Sequence, residues 1–257
     1  GDEQLVVRSC HTARILARDM STISSFEMPS GFGNLAASQE FIYATEVVYN
    51  IQCFTHDGTE VAKYEDPDKR IASPVLGPGG LLFCVLYDED GDSTQDEIVA
   101  LDAQTLQPRH RFGLSLLNDA RGTAVAGEEL FVCDYGNDRL QVFSLAGEHR
   151  RSITGEWKRP LALCFVKDRL YLVEKYDEYD EDGELVDPLC GRRIFVLSLQ
   201  GDTLQVYTHP VEGQIFSDVL CCFDGKLLAP VQEVQDHIAF PIYGGDPYVG
   251  VTVLAGV

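Results

Sequence analysis

Two acidic runs hold the densest chemistry in this sequence. The first is Asp88-Glu89-Asp90-Gly91-Asp92, with Asp96 and Glu97 close behind; the second runs from Asp177 to Glu184 and includes Asp180-Glu181-Asp182. Carboxylates at this density suit three uses: solvated hairpin tips, oxygen ligands for calcium, or a field that captures a basic segment. Neither run matches the EF-hand loop, whose glycine falls two residues later than Gly91 and whose last ligand is a Glu at the twelfth place. Tyr87, Tyr135, Tyr176 and Tyr179 lie beside these runs or between them. Tyrosine next to charge favours a protein-contact surface, because it buries area at small conformational cost.

Other reactive residues do not converge. His56, His110 and His149 fall at outer turns or strands, and His11 and His237 lie near third-strand starts, so no shared ion site forms. There is no GxSxG nucleophile elbow. Asp119 and Asp218 are the one carboxylate pair placed at the edge of the innermost strands, where acid–base work would need it. No catalytic residue, metal ligand or resident cofactor is assigned; calcium at the acidic loops is the one ion with a candidate place. Of eight cysteines, Cys53, Cys84, Cys133, Cys164, Cys221 and Cys222 sit inside apolar runs such as LLFCVLY and VLCCF, without a CxxC pair. They read as reduced, buried thiols in an intracellular, reducing compartment. Cys190, in a polar loop, and Cys10 are the two open to a disulfide.

The elements that must position these residues repeat. Arg121 to Ile153 reads as a complete four-stranded unit. Gly122–Val125 is a short strand, and Leu130–Cys133 is apolar on both faces, as befits a strand covered on two sides. Asp134 to Asp138 tolerates tight-turn dihedrals, Arg139–Phe143 alternates, and His149–Ile153 is a polar outer strand. Weaker copies fill the rest of the chain. At about 40 to 45 residues per unit, 257 residues suit six of them. The expected architecture is therefore all-β: a six-bladed β-propeller of four-stranded antiparallel blades, one domain over residues 1–257. The first blade lacks an inner strand. Joining the chain ends gives VGVTVLAGV-GDEQLVVRS, which parallels ARGTAVAG-EELFVCDY, so Val249–Leu254 is expected to join the first blade and close the ring. The sixth blade is expected from Phe216–Phe223, Lys226–Val231 and His237–Ile242.

Asp134, Asn137, Arg139 and Leu140-Gln141-Val142-Phe143 resemble the signature of NHL repeats, which build six-bladed propellers. The resemblance implies that Asp134, Asn137 and Arg139 staple the hairpin between the second and third strands. It also implies two kinds of function. One is a non-catalytic scaffold that binds a protein through loops on one face. The alternative is a small-molecule hydrolase or lyase using a divalent metal in the central channel, as in some NHL-like propellers.

Charge narrows the partners. There are 41 Asp and Glu against 20 Lys and Arg, a formal net charge of −21, which repels phosphate backbones and disfavours nucleic acid. No apolar run is long enough to span a membrane. The leading expectation is a protein-interaction scaffold, a module or subunit of a larger assembly, that takes a partner with a basic segment. Both acidic runs occupy the connection from second to third strand, so the third and fifth blades should raise them on one rim. Between them would lie a low saddle. Its contact residues would be Asp88, Asp90, Asp92, Asp180, Glu181 and Asp182 with Tyr87, Tyr135, Tyr176 and Tyr179.

Overall fold

The computed structural model describes residues 4–9, 12–28, 33–45, 49–88, 96–175, 187, 189–211, 214–216, 220–223, 226–229, 231–233 and 249–254. Period-two alternation and turn residues give strands throughout. The first group is β1 (Gln4–Ser9), β2 (Thr12–Leu16) and β3 (Thr22–Glu27). The second is β4 (Leu35–Ala37), β5 (Phe41–Thr45), β6 (Asn50–Thr55) and β7 (Glu60–Glu65). The third is β8 (Arg70–Gly77), β9 (Leu81–Tyr87), β10 (Glu97–Asp102) and β11 (Pro108–Phe112). The fourth, containing the reference unit, is β12 (Ala120–Ala126), β13 (Glu129–Asp134), β14 (Arg139–Ser144) and β15 (His149–Thr154). The fifth is β16 (Pro160–Val166), β17 (Arg169–Glu174), β18 (Arg193–Leu197) and β19 (Thr203–Thr208).

Each of the last four groups is a four-stranded antiparallel sheet in chain order. The first becomes four-stranded through β24 (Val249–Leu254), which pairs along β1 from Gln4↔Leu254 to Ser9↔Val249. The protein is a β-propeller, with five four-stranded blades among the described residues and not the expected six. The segment expected as a sixth blade forms two shorter pairs instead. β20 (Gln214–Phe216) pairs with β23 (Val231–Glu233), and β21 (Cys221–Phe223) pairs with β22 (Lys226–Leu228). These runs are three residues each, and Pro230 has no N–H to offer a ladder. The expected strand His237–Ile242 lies outside the described residues. Among those residues, no helix is long and apolar enough to cross a membrane.

The core lies between blades. Phe131, Leu140, Trp157, Leu172 and Phe195 fill the space between the fourth and fifth, and Phe83, Ile98, Leu130 and Phe143 fill that between the third and fourth. Described residues between 214 and 229 pack on both of the neighbouring blades. Cys221 and Leu228 meet Leu5 and Leu16 of the first blade, while Leu227 and Ala229 meet Ala162, Val173 and Ile194 of the fifth.

A repeated contact fixes the spacing of the blades. The ring of Phe112, on β11, lies over Gly147, in the β14–β15 turn, so that a Cβ there would sit 2.7 Å from the ring. Gly147 also has φ +91, a conformation open chiefly to glycine. Phe26 covers Gly58 and Ile153 covers Gly201 in the same way. In each case the fourth strand of one blade packs on the outer turn of the next.

Burial also decides the thiols. Cys53, Cys84, Cys133 and Cys190 are buried. Burial pushes Cys53 up to about 12 and Cys84 and Cys133 well above the usual thiol range. Cys190, expected in a polar loop, is 4% exposed and donates its Sγ–H to the Lys175 carbonyl at 2.8 Å.

Candidate functional site

The second strands of the blades end, and the innermost strands begin, on one rim. Asp134, the last residue of β13, is fully buried there, and its carboxylate is a hub. Oδ1 accepts from the Asn118 N–H at 2.7 Å and from Asn137 Nδ2 at 3.0 Å. Oδ2 accepts from Arg139 Nε at 2.6 Å and Gln141 Nε2 at 3.2 Å. The chain can turn this tightly because Asp138 takes the left-handed conformation, φ 53, which Asp tolerates better than most residues. Gln141 is a part of the hub that sequence reasoning did not assign. Its Oε1 also accepts from Ser152 at 2.7 Å and meets His149 Nε2 at 2.8 Å. Arg139→Ala should lower stability by about 1–3 kcal/mol, the cost of stranding a hydrogen-bonded partner. Urea melts check this; a stable variant that had lost binding would make the hairpin a contact site.

The same hub recurs in the fifth blade, unseen in the sequence. Glu174 ends β17 where Asp134 ends β13, and Arg193 opens β18 where Arg139 opens β14. Arg193 Nε donates to Glu174 Oε1 at 2.5 Å, and the Lys158 N–H donates to Oε2 at 3.1 Å. Burial pushes the Glu174 carboxyl above its ordinary range, with Arg193 opposing. Four residues separate Asp134 from Arg139, whereas the whole second insertion separates Glu174 from Arg193, so no short motif could reveal the pair.

Two acids of the first run serve the fold. Asp96 Oδ2 accepts from the Ala120 N–H at 2.7 Å, tying the third blade to the start of the fourth. Asp138 Oδ1 does the same for Arg159 N–H at 2.6 Å, tying the fourth to the fifth. Burial pushes Asp96 upward, opposed by the N–H groups of Ala120 and Asp88. Glu97 Oε1 accepts from Lys69 Nζ at 2.9 Å and Arg111 at 3.1 Å. Asp96 and Glu97 therefore belong to the blades and not to an open loop.

The floor between the two acidic insertions differs from expectation. Tyr87 and Asp88 are half-buried, at the end of β9 where the first insertion leaves. Tyr135 is 8% exposed, so it does not offer the open contact area expected of it. Cations cover its ring. Arg121 Cζ lies 5.6 Å from its centroid, Arg159 Cζ 5.9 Å and Lys175 Nζ 5.6 Å. Arg121 also lies 5.6 Å from the Tyr87 ring and holds Asp119 at 2.5 Å. Asp119 is thus ion-paired; Asp218, its expected acid–base companion, lies outside the described residues. So do Asp90, Asp92, Tyr176, Tyr179, Asp180, Glu181 and Asp182. Polar groups of the inner strands bond to one another: Asn34 Oδ1 accepts from the Ser73 N–H at 3.1 Å, and Thr123 Oγ1 donates to the Ser73 carbonyl at 2.8 Å. Among the described residues no three His, Cys, Asp or Glu side chains gather as a metal-ion group.

No family model matches this chain, and no curated protein matches it. Solved structures do. The WD40 β-propeller domain of Doa1 superposes with a TM-score of 0.63 at 10% identity, over 88% of this chain and 71% of that one. Regucalcin from Agrobacterium tumefaciens, described as a calcium-binding protein, gives 0.55 at 10% identity, over 80% and 69%. BamB from Moraxella catarrhalis gives 0.53 at 16% identity, over 93% and 82%. At such identities the likeness is one of fold: this chain is built like these proteins, as a β-propeller.

Proposed function

We propose that this chain is a non-catalytic, NHL-like interaction propeller that docks a basic segment of a protein partner on the rim between its third and fifth blades. The observation that carries this reading is the place from which the acidic insertions leave. One follows Tyr87 and the other Lys175, at matching ends of β9 and β17, with the short Tyr135–Asn137 turn between them. Two carboxylate-rich insertions that leave from one rim would produce a field that steers a basic segment. Engagement of Asn34, Ser73 and Thr123 between inner strands favours a scaffold over hydrolase or lyase chemistry in the channel.

In this reading the chain is a single intracellular domain, and the 214–233 segment is the core of a sixth blade that completes the ring. Tyr207 supports that. It pairs with Ile194 as Ile153 pairs with Leu140, yet Ile153 is covered by the next blade and Tyr207 is 49% exposed.

The test is charge neutralisation. Changing Asp88, Asp90, Asp92, Asp180, Glu181 and Asp182 to Asn or Gln should slow association of a lysine-rich peptide by about tenfold at low salt, and added salt should shrink the difference. Melting should be nearly unchanged. Equal association rates for parent and variant would overturn the reading. If calcium raised the melting temperature of the parent but not of the variant, these loops would be a calcium site instead.

A further inference from the structure

Each blade ends on an outer strand whose far edge pairs with no other strand among the described residues. Such an edge presents a row of backbone N–H and C=O groups on which another chain can add a strand, and charged side chains are a common guard against it. Four of the five described outer strands carry that guard: Glu27 on β3, Lys63 on β7, Arg109 and Arg111 on β11, Arg150 and Arg151 on β15. β19, Thr-Leu-Gln-Val-Tyr-Thr, carries no charge, and all six of its residues are exposed.

The departure is sharpest at one register position. The residue opposite the third place of the third strand is Ser25, Lys63, Arg111 and Ser152 in the first four blades, and Val206 in the fifth. Val206 is 40% exposed and Leu204 51%. Val206 stands beside Phe195, whose ring meets Trp157 on the side of the fourth blade. The strands of that blade all lie within the described residues, and they leave Val206 open.

We propose that β19 pairs edge to edge with β19 of a second copy of this chain, in an antiparallel two-fold contact that joins two propellers. A two-fold contact sets a surface against itself, so any charge on its axis meets like charge. In a chain of net charge −21, an uncharged strand is the edge that a second copy can approach. A basic partner would be selected by carboxylates, and β19 has none to offer. Antiparallel pairing about Val206 places that residue beside its own copy and Gln205 beside the partner subunit's Tyr207. A contact one strand long is smaller than a permanent interface, so the dimer depends on concentration. This pairing uses the outer wall of the fifth blade and is independent of docking at the rim.

Sedimentation velocity of the whole chain, from about 1 to about 500 µM, brackets a weak dimer. The sedimentation coefficient should rise with concentration toward that of a dimer. Added salt should strengthen the association, because it screens the repulsion between two acidic copies. Val206→Lys sets like charges side by side and should weaken association by about tenfold or more. Its melting should be unchanged, since Lys63 already holds this place in the second blade. Should that variant fail to fold, Leu204→Arg reads the same loss, with an arginine where the fourth blade has Arg150. A parent that stays monomeric across the range would overturn the proposal, and so would equal association of the parent and the folded variant. A monomeric parent that bound the blocked peptide Thr-Leu-Gln-Val-Tyr-Thr would overturn self-pairing and give the edge to a strand from a different protein.

Discussion

Replacing Arg193 by Ala should destabilise the protein by about 3–5 kcal/mol at neutral pH, because it strands a buried carboxylate. Glu174 is 1% exposed, and Arg193 supplies it with a charged hydrogen bond. The loss should depend on pH in a definite sense. Burial already raises the folded pKa of Glu174 above its ordinary 4.5, and removing Arg193 raises it further. A carboxyl whose folded pKa exceeds its unfolded one binds more protons when folded, so stability falls as pH rises through that window. The deficit of Arg193→Ala should therefore be largest above the raised pKa and shrink as pH is lowered toward the ordinary carboxylate range. Urea unfolding of parent and variant at mildly acidic and neutral pH checks both parts. A pH-independent deficit would mean that Glu174 stays ionised without its partner.

A chain ending at Tyr248 should lose its single cooperative unfolding transition. The deletion removes β24, which pairs with β1 over six residue pairs, and leaves the N–H and C=O groups of that edge of β1 without their ladder partners. It also removes the strand that lies against β4 and β21, so the second blade and the 214–229 segment lose support together. Trp157, buried between the fourth and fifth blades, reports on the far side of the propeller. Its fluorescence transition should separate from the far-ultraviolet dichroism transition in the truncated chain and coincide with it in the parent. Unchanged, coincident melting of the truncated protein would rule out a ring completed through this strand.

The strand system was legible in the sequence because strand, turn and alternation are local properties. Leu130–Cys133, Asp134–Asp138 and Arg139–Phe143 announce a hairpin within a dozen or so residues, and the structure pairs Asp134 with Arg139 across it. The partner of β1 was legible for the same reason, since VGVTVLAGV followed by GDEQLVVRS repeats a pattern already complete in one unit. Repetition carried information across the chain ends that no pairwise reading of distant residues could.

What lies between blades was decided only by the tertiary structure. Glu174 meets Arg193, Asp96 meets the Ala120 N–H, and Phe112 covers Gly147 because register and blade spacing bring them together. No periodicity links such positions along the chain. Tyr135 looked like a surface tyrosine beside acidic loops. Its fate depended on Arg121 of β12, on Arg159 just before β16 and on Lys175 just after β17. Likewise the 214–233 stretch carries strand-forming residues, but the number of strands it builds depends on the neighbours that cover it. The sequence by itself determined which stretches become strands and how each hairpin turns, through preferences that act over a few residues. Only the assembled propeller decided which charges are buried, paired or gathered at the rim, because those outcomes depend on long-range proximity and desolvation.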